Sequence, residues 1–232
     1  MRTIQVISGG AAQGLVGALE KTLAARGLAV TGTFGAVGAM RDKLVAGAPC
    51  DLLILTDALV RELEQLGRVV PGSATPIGRV RTGVAVKTGE RLPIVDSARA
   101  LTDLLAGAQA LYIPDPVKST AGIHIMGVLR RLGLEEQLAP RLRAFPNGAT
   151  AMREMATSGE PGSVGCTQVT EILYTPGVQL AGGLPKEFEL ATVYTAAVCT
   201  GAAQPAGARV IADLLASGEA SSARQACGFD PL

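Results

Sequence analysis

The chain is most informative at first for what it lacks. It has no tryptophan, and aromatic residues make up only 3% of its 232 residues. Its core must therefore be built from Ala, Val and Leu, and an apolar content of 48% is enough for a sizeable one. The net charge is +1, and no run or stripe of Lys and Arg occurs. This balance argues against nucleic acid as the main partner.

Metal-binding and membrane signals are also missing. There is one histidine, and the four cysteines lie far apart without a C-x-x-C pair. No spacing typical of a metal site exists, so we expect no metal and no cofactor. The scattered cysteines favour free thiols, although one or two disulfides stay open. No apolar run approaches the roughly 20 residues that a membrane span needs, so no membrane insertion is expected.

The start of the chain carries no recognisable export signal. The first apolar run, Thr3–Ile7, is shorter than a signal-peptide core, and no A-x-A cleavage site follows it. The sequence as it begins therefore predicts a cytoplasmic protein. Removal of a leader would make it periplasmic instead.

Short apolar runs alternate with segments of helical periodicity along the whole chain. This rhythm predicts parallel strands with crossover helices, and hence an α/β fold. The predicted strands are Thr3–Ile7, Ala29–Phe34, Asp51–Leu55, Gly78–Val86, Ala110–Ile113, Gly162–Cys166, Val178–Leu180 and Glu189–Val198. The predicted helices are Ala12–Arg26, Gly38–Ala46, Asp57–Leu66 with Asp57 as N-cap, Ser97–Ala106, Thr120–Leu132, Ala149–Ala156, Pro205–Ser217 and Ser221–Ala226.

Two such α/β series, joined by two long strands, predict two lobes with a double crossover. Residues 1–80 and 195–232 would form the first lobe, and residues 81–194 the second. Hinged lobes of this kind usually hold a ligand in the cleft between them. We therefore expect an interlobe site.

The stretch "VISGGAAQGL" near the start resembles a nucleotide-binding loop but fails each test for one. The spacing of Gly9, Gly10 and Gly14 is not G-x-G-x-x-G, and the short-chain dehydrogenase variant would need glycine where Val16 stands. A Walker A loop is excluded as well, because this stretch lacks the Gly-Lys-Ser/Thr that such a loop requires. What remains is a helix start whose N–H groups can hold an anion, with Ser8 as a hydroxyl donor. Alternatively, Ser8 only caps that helix.

Similar small-residue turns recur at other predicted helix starts. They contain donors that could converge on one anion. Arg81, on the predicted strand Gly78–Val86, is either a counter-charge for that anion or a solvated residue of the strand. The candidate ligand-binding residues are Ser8, Gly9, Gly10, Ala36, Val37, Arg81, Ser119, Thr120, Ala121, Gly122, Asn147, Ala149, Thr167, Gln168 and Tyr194.

A few side chains could transfer protons. The candidates are His124, Tyr194 and Lys118, although each could equally be a packing or surface residue. Cys166 is a weaker candidate for a nucleophile because no histidine is near it in sequence. Glu171 is expected to be a charge on a helix surface. The G-x-S-x-G elbow of serine hydrolases is absent.

The chain resembles the molybdate-binding family of type II periplasmic substrate-binding proteins. The likeness runs nearly end to end, through "FGAVGAM", "GAPCDLLILTD", "GSVG", "VYTAAV" and "GFDPL". It implies two mixed sheets flanked by helices and hinged by two crossover strands. It also implies an oxyanion held by Ser8, by a second hydroxyl near Ala36 and Val37, and by backbone donors at Ala121 and near Ala149.

Two departures from the family pattern change the expected ligand. The second hydroxyl is lost at Ala36–Val37, and Gln168 stands where the family has a tyrosine. The resemblance therefore implies a solute-binding protein for a small anion, an organic carboxylate more than molybdate. A transporter permease would be its partner if it is exported.

The same superfamily includes aconitate isomerase, which supplies an alternative. The chain would then be a cofactor-independent isomerase of unsaturated carboxylic acids, with His124, Tyr194 or Lys118 moving the allylic proton.

Overall fold

The computed structural model describes residues 1–232, and its alternation of strands and helices confirms the α/β class. The strands are β1 (Arg2–Gly9), β2 (Leu28–Gly35), β3 (Leu52–Thr56), β4 (Thr75–Lys87), β5 (Ala110–Pro114), β6 (Leu142–Phe145), β7 (Ser163–Gln168), β8 (Val178–Gly183) and β9 (Ala191–Val198). The helices are α1 (Gln13–Ala18), α2 (Glu20–Ala25), α3 (Val37–Val45), α4 (Asp57–Gln65), α5 (Ala98–Gly107), α6 (Thr120–Arg131), α7 (Glu135–Leu138), α8 (Gly148–Thr157), α9 (Val169–Tyr174), α10 (Pro205–Ala216) and α11 (Ser221–Ala226).

Some elements differ from the sequence prediction. The first helix begins as a 3-10 turn at Gly10–Ala12 and is broken at Leu19 into α1 and α2. Asp57 is the first residue of α4 rather than its N-cap, a position that Thr56 takes. Strand β6 and helices α7 and α9 were not predicted.

The chain divides into two compact units. The first contains residues 1–80 and 192–232, and the second contains residues 81–191. In the first unit the strand order is β2-β1-β3-β9, with β1 parallel to β2 and β3, and β9 antiparallel to β3. Strands β1, β2 and β3 therefore end at one edge of this sheet.

The core of the first unit is aliphatic, as the composition requires. Ile4, Leu52 and Leu53 are completely inaccessible to solvent and pack with residues of α1 and α10. The carboxylate of Asp51 accepts hydrogen bonds from the backbone N–H groups of Gln5 and Gln204, both at 2.8 Å. This buried acid therefore ties β1 and the start of α10 to the beginning of β3.

In the second unit the strand order is β8-β4-β7-β5-β6. Strand β5 is parallel to β6 and β7, whereas β4 is antiparallel to β7 and β8. Because successive side chains in a strand point to opposite faces, this sheet has two apolar faces. Val84, Val164 and Cys166 lie on the face that packs against α5 and α6, which we call the α6 face. The opposite face packs against α8 through Met152 and Met155.

Candidate functional site

The first unit brings several predicted residues together at the edge where β1, β2 and β3 end. Gly9 closes β1 at a point of very close approach. A Cβ atom there would lie 2.8 Å from Cγ1 of Val37 and 2.9 Å from Cε1 of Tyr194. Gly9, Val37 and Tyr194 are therefore neighbours, and only glycine fits at the first of these positions.

Ser8 does not cap the helix that follows it. Its hydroxyl is fully buried and donates to the carbonyl of Gly9 at 2.9 Å. The helical turn begins after Gly9 without a side-chain cap, and α3 begins after Ala36 without one. Their first N–H groups have no side-chain acceptor, which is the state that suits an anion.

The third helix start of the first unit is already filled. Asp57 lies in the first turn of α4, where a negative charge is favourable. Its carboxylate also accepts from the Thr195 hydroxyl at 3.2 Å and from the Arg61 guanidinium at 2.7 Å. Of the three helix starts at this edge, only those after Gly9 and Ala36 lack an acidic residue.

In the second unit, α6 begins beyond the end of β5 with a partly used set of donors. The Ser119 hydroxyl accepts from the N–H of Gly122 at 3.4 Å, and the Ser119 carbonyl accepts from Ile123. The first helical N–H groups, those of Thr120 and Ala121, precede any intrahelical acceptor. Gly122 is required because a Cβ there would overlap the carbonyl oxygens of Pro114 and Asp115.

The loop before α6 is held by Asp115. Its carboxylate accepts from the backbone N–H groups of Val117 and Lys118, and these bonds lower the pKa of Asp115. Asp115 therefore orders the loop before α6.

The start of α8 is occupied by the protein's own acid. Glu171, expected on a helix surface, is in fact only 5% exposed. It accepts from the Thr167 hydroxyl at 2.6 Å and from the backbone N–H groups of Gly148, Ala149 and Gln168. Burial raises the pKa of Glu171, and these hydrogen bonds oppose that shift. The backbone donor at Ala149 is thus already engaged.

Asn147 caps α8 in the usual way. Its side-chain oxygen accepts from the N–H of Thr150 at 2.8 Å. Together with Glu171, this cap satisfies the donors of the first turn of α8. The first-turn N–H groups of α8 are therefore occupied, whereas those of Thr120 and Ala121 in α6 are not used by the helix itself.

Three buried polar side chains of the second unit have no hydrogen-bond partner. They are Thr82 at 0% exposure, Gln168 at 3% and Thr170 at 3%. For Gln168, neither the amide nitrogen nor the amide oxygen is paired. Leaving such a group unpaired costs about 1–3 kcal/mol, so these atoms are the part of the unit most suited to contact a ligand.

The predicted proton-transfer residues differ in burial and do not all lie in the same unit. His124 is half-buried on α6, and its Nε2 lies 2.7 Å from the carbonyl of Phe188, which it can contact only as a donor. Lys118 and Arg81 are exposed in the second unit, whereas Tyr194 is buried in the first.

Cys166 is not suited to nucleophilic chemistry. It is fully buried, and this burial raises the pKa of its thiol to about 12. All four cysteines are free thiols in the structure. No group of three or more His, Cys, Asp or Glu side chains is placed to hold a metal ion, and no helix has the length and apolar character to cross a membrane.

Comparison with known proteins identifies the family. A family model described as bacterial extracellular solute-binding protein matches residues 4–230. The chain belongs to this family. That description gives no support to the cytoplasmic location expected from the first residues of the chain.

This solute-binding protein has relatives with two different names. Aconitate isomerase of Pseudomonas sp. is 25% identical over 195 residues, which cover 84% of this chain and 72% of the relative. The molybdate-binding protein ModA of Escherichia coli K12 is 25% identical over 179 residues, covering 76% and 68%. The periplasmic molybdate-binding protein of Azotobacter vinelandii has the same fold, with a TM-score of 0.82, 21% identity, and coverage of 97% and 98%.

The sequence pattern did not single out Thr82, and the expectation that Glu171 lies on a helix surface is wrong. Thr82 occupies a buried position in a strand where Val80 and Val84 share its alternation, a signal that could have drawn attention to it. Glu171 stands three residues after the N-cap Gln168, which is the capping-box spacing. The spacing indicates an acid bound to backbone N–H groups rather than a solvated charge.

Proposed function

We propose that the protein binds a small anion, an organic carboxylate or an oxyanion, as a solute-binding protein. The observation that carries this proposal is the set of buried, unpartnered polar atoms of Thr82 and Gln168 in the same unit as the open α6 start. The N–H groups of Thr120 and Ala121 would hold a negatively charged oxygen, since a helix start favours anions.

The candidate residues of the first unit could also contribute to anion binding. In the first unit, Ser8, Gly9, Gly10, Ala36 and Val37 would supply backbone donors at the two helix starts without an acid. Family membership supports a location outside the cytoplasm and a transport permease as the partner.

A matched pair of variants tests the anion site. Thr120→Pro removes one N–H donor at the first position of α6, where proline is well tolerated, and Ser119 before it is already extended. Thr120→Ala keeps that donor. We expect thermal stabilisation by oxyanions and by di- and tricarboxylates in the wild type, a smaller shift in Thr120→Pro, and a nearly unchanged shift in Thr120→Ala.

Ala98→Pro, at the first position of α5, controls for the effect of proline itself. Stabilisation of the wild type by none of these anions would refute the proposal.

A second candidate function is isomerisation of an unsaturated carboxylic acid. It is supported by the relative named aconitate isomerase, which aligns with 84% of this chain. It has less support from the site, because Nε2 of His124, one of the three proposed proton carriers, already contacts the carbonyl of Phe188. Incubation with cis- and trans-aconitate in heavy water distinguishes the two functions, since an isomerase would introduce deuterium and a binding protein would not.

A further inference from the structure

Thr82 and Gln168 form a polar pair across two strands. They are directly opposite each other in the antiparallel pairing of β4 and β7, so their side chains project from the same face of the sheet. Both are buried, and the polar atoms of both side chains lack partners. Two adjacent buried side chains without internal partners are unusual in a folded interior, and a ligand that contacts both would satisfy them together.

The pair lies on the same face and at the same end of the sheet as the start of α6. Alternation places Thr82 with Val84, and Gln168 with Cys166, and these two neighbours pack on the α6 face. Gln168 is the last residue of β7, and α6 follows the end of β5, which is parallel to β7. A ligand held by the α6 start is therefore well placed to meet this pair.

The pair demands a ligand group that both donates and accepts. The amide oxygen of Gln168 can only accept, so it needs an O–H or N–H of the ligand, while its amide nitrogen and the Thr82 hydroxyl can donate. A fully deprotonated oxyanion such as sulfate or molybdate offers acceptors alone. It would leave the Gln168 oxygen unsatisfied.

The start of α8 does not supply a second set of open donors for an oxyanion. The Glu171 side chain accepts from the N–H groups of Ala149 and Gly148 at this helix start. A ligand therefore meets one open helix start in this unit and one neutral pair.

We propose that the second unit selects a carboxylate that also carries a hydroxyl group, with Thr82 and Gln168 as the residues that determine this specificity. The carboxylate binds the N–H groups at the start of α6, and the hydroxyl donates to the amide oxygen of Gln168 and accepts from the hydroxyl of Thr82. This inference rests on the proposed anion-binding function and narrows its ligand class.

Matched acids that differ by one hydroxyl test the inference. The probes are malate against succinate and citrate against tricarballylate, with sulfate and molybdate as oxyanions, all measured by isothermal titration calorimetry. We expect the hydroxy acid of at least one pair to bind roughly tenfold or more tighter than its partner. We also expect both oxyanions to bind more weakly than that hydroxy acid.

Variants of the pair give the second arm. Gln168→Met and Thr82→Val keep side-chain size and remove the hydrogen-bonding groups. They should therefore bring the hydroxyl preference, which is the ratio of the Kd of the acid without the hydroxyl to the Kd of the hydroxy acid, close to one. Gln179→Met is the matched control, because the Gln179 amide donates to the carbonyls of Lys87 and Glu90 elsewhere in the unit. Circular dichroism verifies that each variant is folded. If Gln168→Met is not, Gln168→Asn takes its place, because its shorter side chain withdraws the amide from the ligand and should also lower the preference for the hydroxy acid.

The outcomes separate the two proposals. Equal binding within both acid pairs, tighter binding of either oxyanion, or a hydroxyl preference unchanged in Gln168→Met overturns the specificity while leaving anion binding intact. Absence of binding by every probe overturns the anion-binding function, and the specificity with it. A direct Thr82–Gln168 hydrogen bond in the bound state also contradicts the inference.

Discussion

At the scale of single residues, the second unit contains two kinds of buried polar group with opposite roles. Glu171 is satisfied by four donors from its own protein, whereas Gln168, three residues earlier, has none for its side chain. The first residue therefore stabilises local structure, and the second is available to a ligand. Burial alone would not have distinguished them, because both are 5% exposed or less.

Glu171 should give the protein a characteristic pH dependence. Burial raises the pKa of this carboxyl above its ordinary value of 4.5, so the folded state keeps a proton that the unfolded state has lost. The free energy of unfolding therefore falls as the pH rises from about 4.5 through the folded pKa. Glu171→Gln, which cannot ionise, should lack this decline while keeping a hydrogen-bonding side chain.

Urea unfolding of the wild type and Glu171→Gln between about pH 4 and pH 8 measures this difference. The variant should gain stability relative to the wild type as the pH rises. A difference that is constant across this range would show that Glu171 ionises normally in the folded protein.

At the scale of elements, the close contact between the starts of α8 and α9 depends on one glycine. A Cβ at Gly148 would overlap the Glu171 carboxylate and the Thr167 hydroxyl. Gly148→Ala should therefore destabilise the protein by about 1–3 kcal/mol or more, since a tightly packed site relaxes only partly. Gly127→Ala in α6 is the matched control, because a Cβ there meets no neighbouring atom.

Denaturant unfolding of both variants measures the effect. The control should be unchanged or stabilised by up to about 1 kcal/mol, the usual gain of alanine over glycine within a helix. Equal effects of the two substitutions would contradict the packing of Glu171 over α8.

The elements also show what sequence reasoning could and could not predict. Amphipathic α4, α5 and α10 and the apolar β1, β3 and β5 follow from periodicity, which is a local property. Strand β6 was missed because it has four residues and no buried one, so it carries no apolar alternation. Helix α9 was missed because it has six residues, too few for a periodic signal.

The same distinction applies to the candidate site. The turns at Gly9 and Ser119 were predicted because small residues between a strand and a helix are visible in the sequence. The filling of the α8 start by Glu171 was not predicted, because it requires α9, which carries Glu171 directly after β7, to lie beside α8. That neighbourhood is set by the strand order, which the sequence pattern did not specify.

At the scale of the whole molecule, the four thiols report on folding in both units. Cys50 and Cys199 are buried in the first unit and Cys166 in the second, whereas Cys227 is half-buried on the first. Burial also raises the pKa of Cys166 to about 12, which leaves almost no reactive thiolate at neutral pH. Partial burial raises the pKa of the Cys227 thiol as well, so we expect Cys227 to react more slowly than an exposed thiol but much faster than the three buried cysteines.

Titration with a chromogenic disulfide reagent checks this expectation. We predict one fast thiol in native buffer and all four in strong denaturant, with the slow class accelerated by denaturant because it reacts through unfolding. Cys227→Ser should abolish the fast phase and leave the slow phase unchanged. Two or more fast thiols in the native wild type, or a fast phase that survives in Cys227→Ser, would mean that one of the two cores opens far more easily than its burial implies.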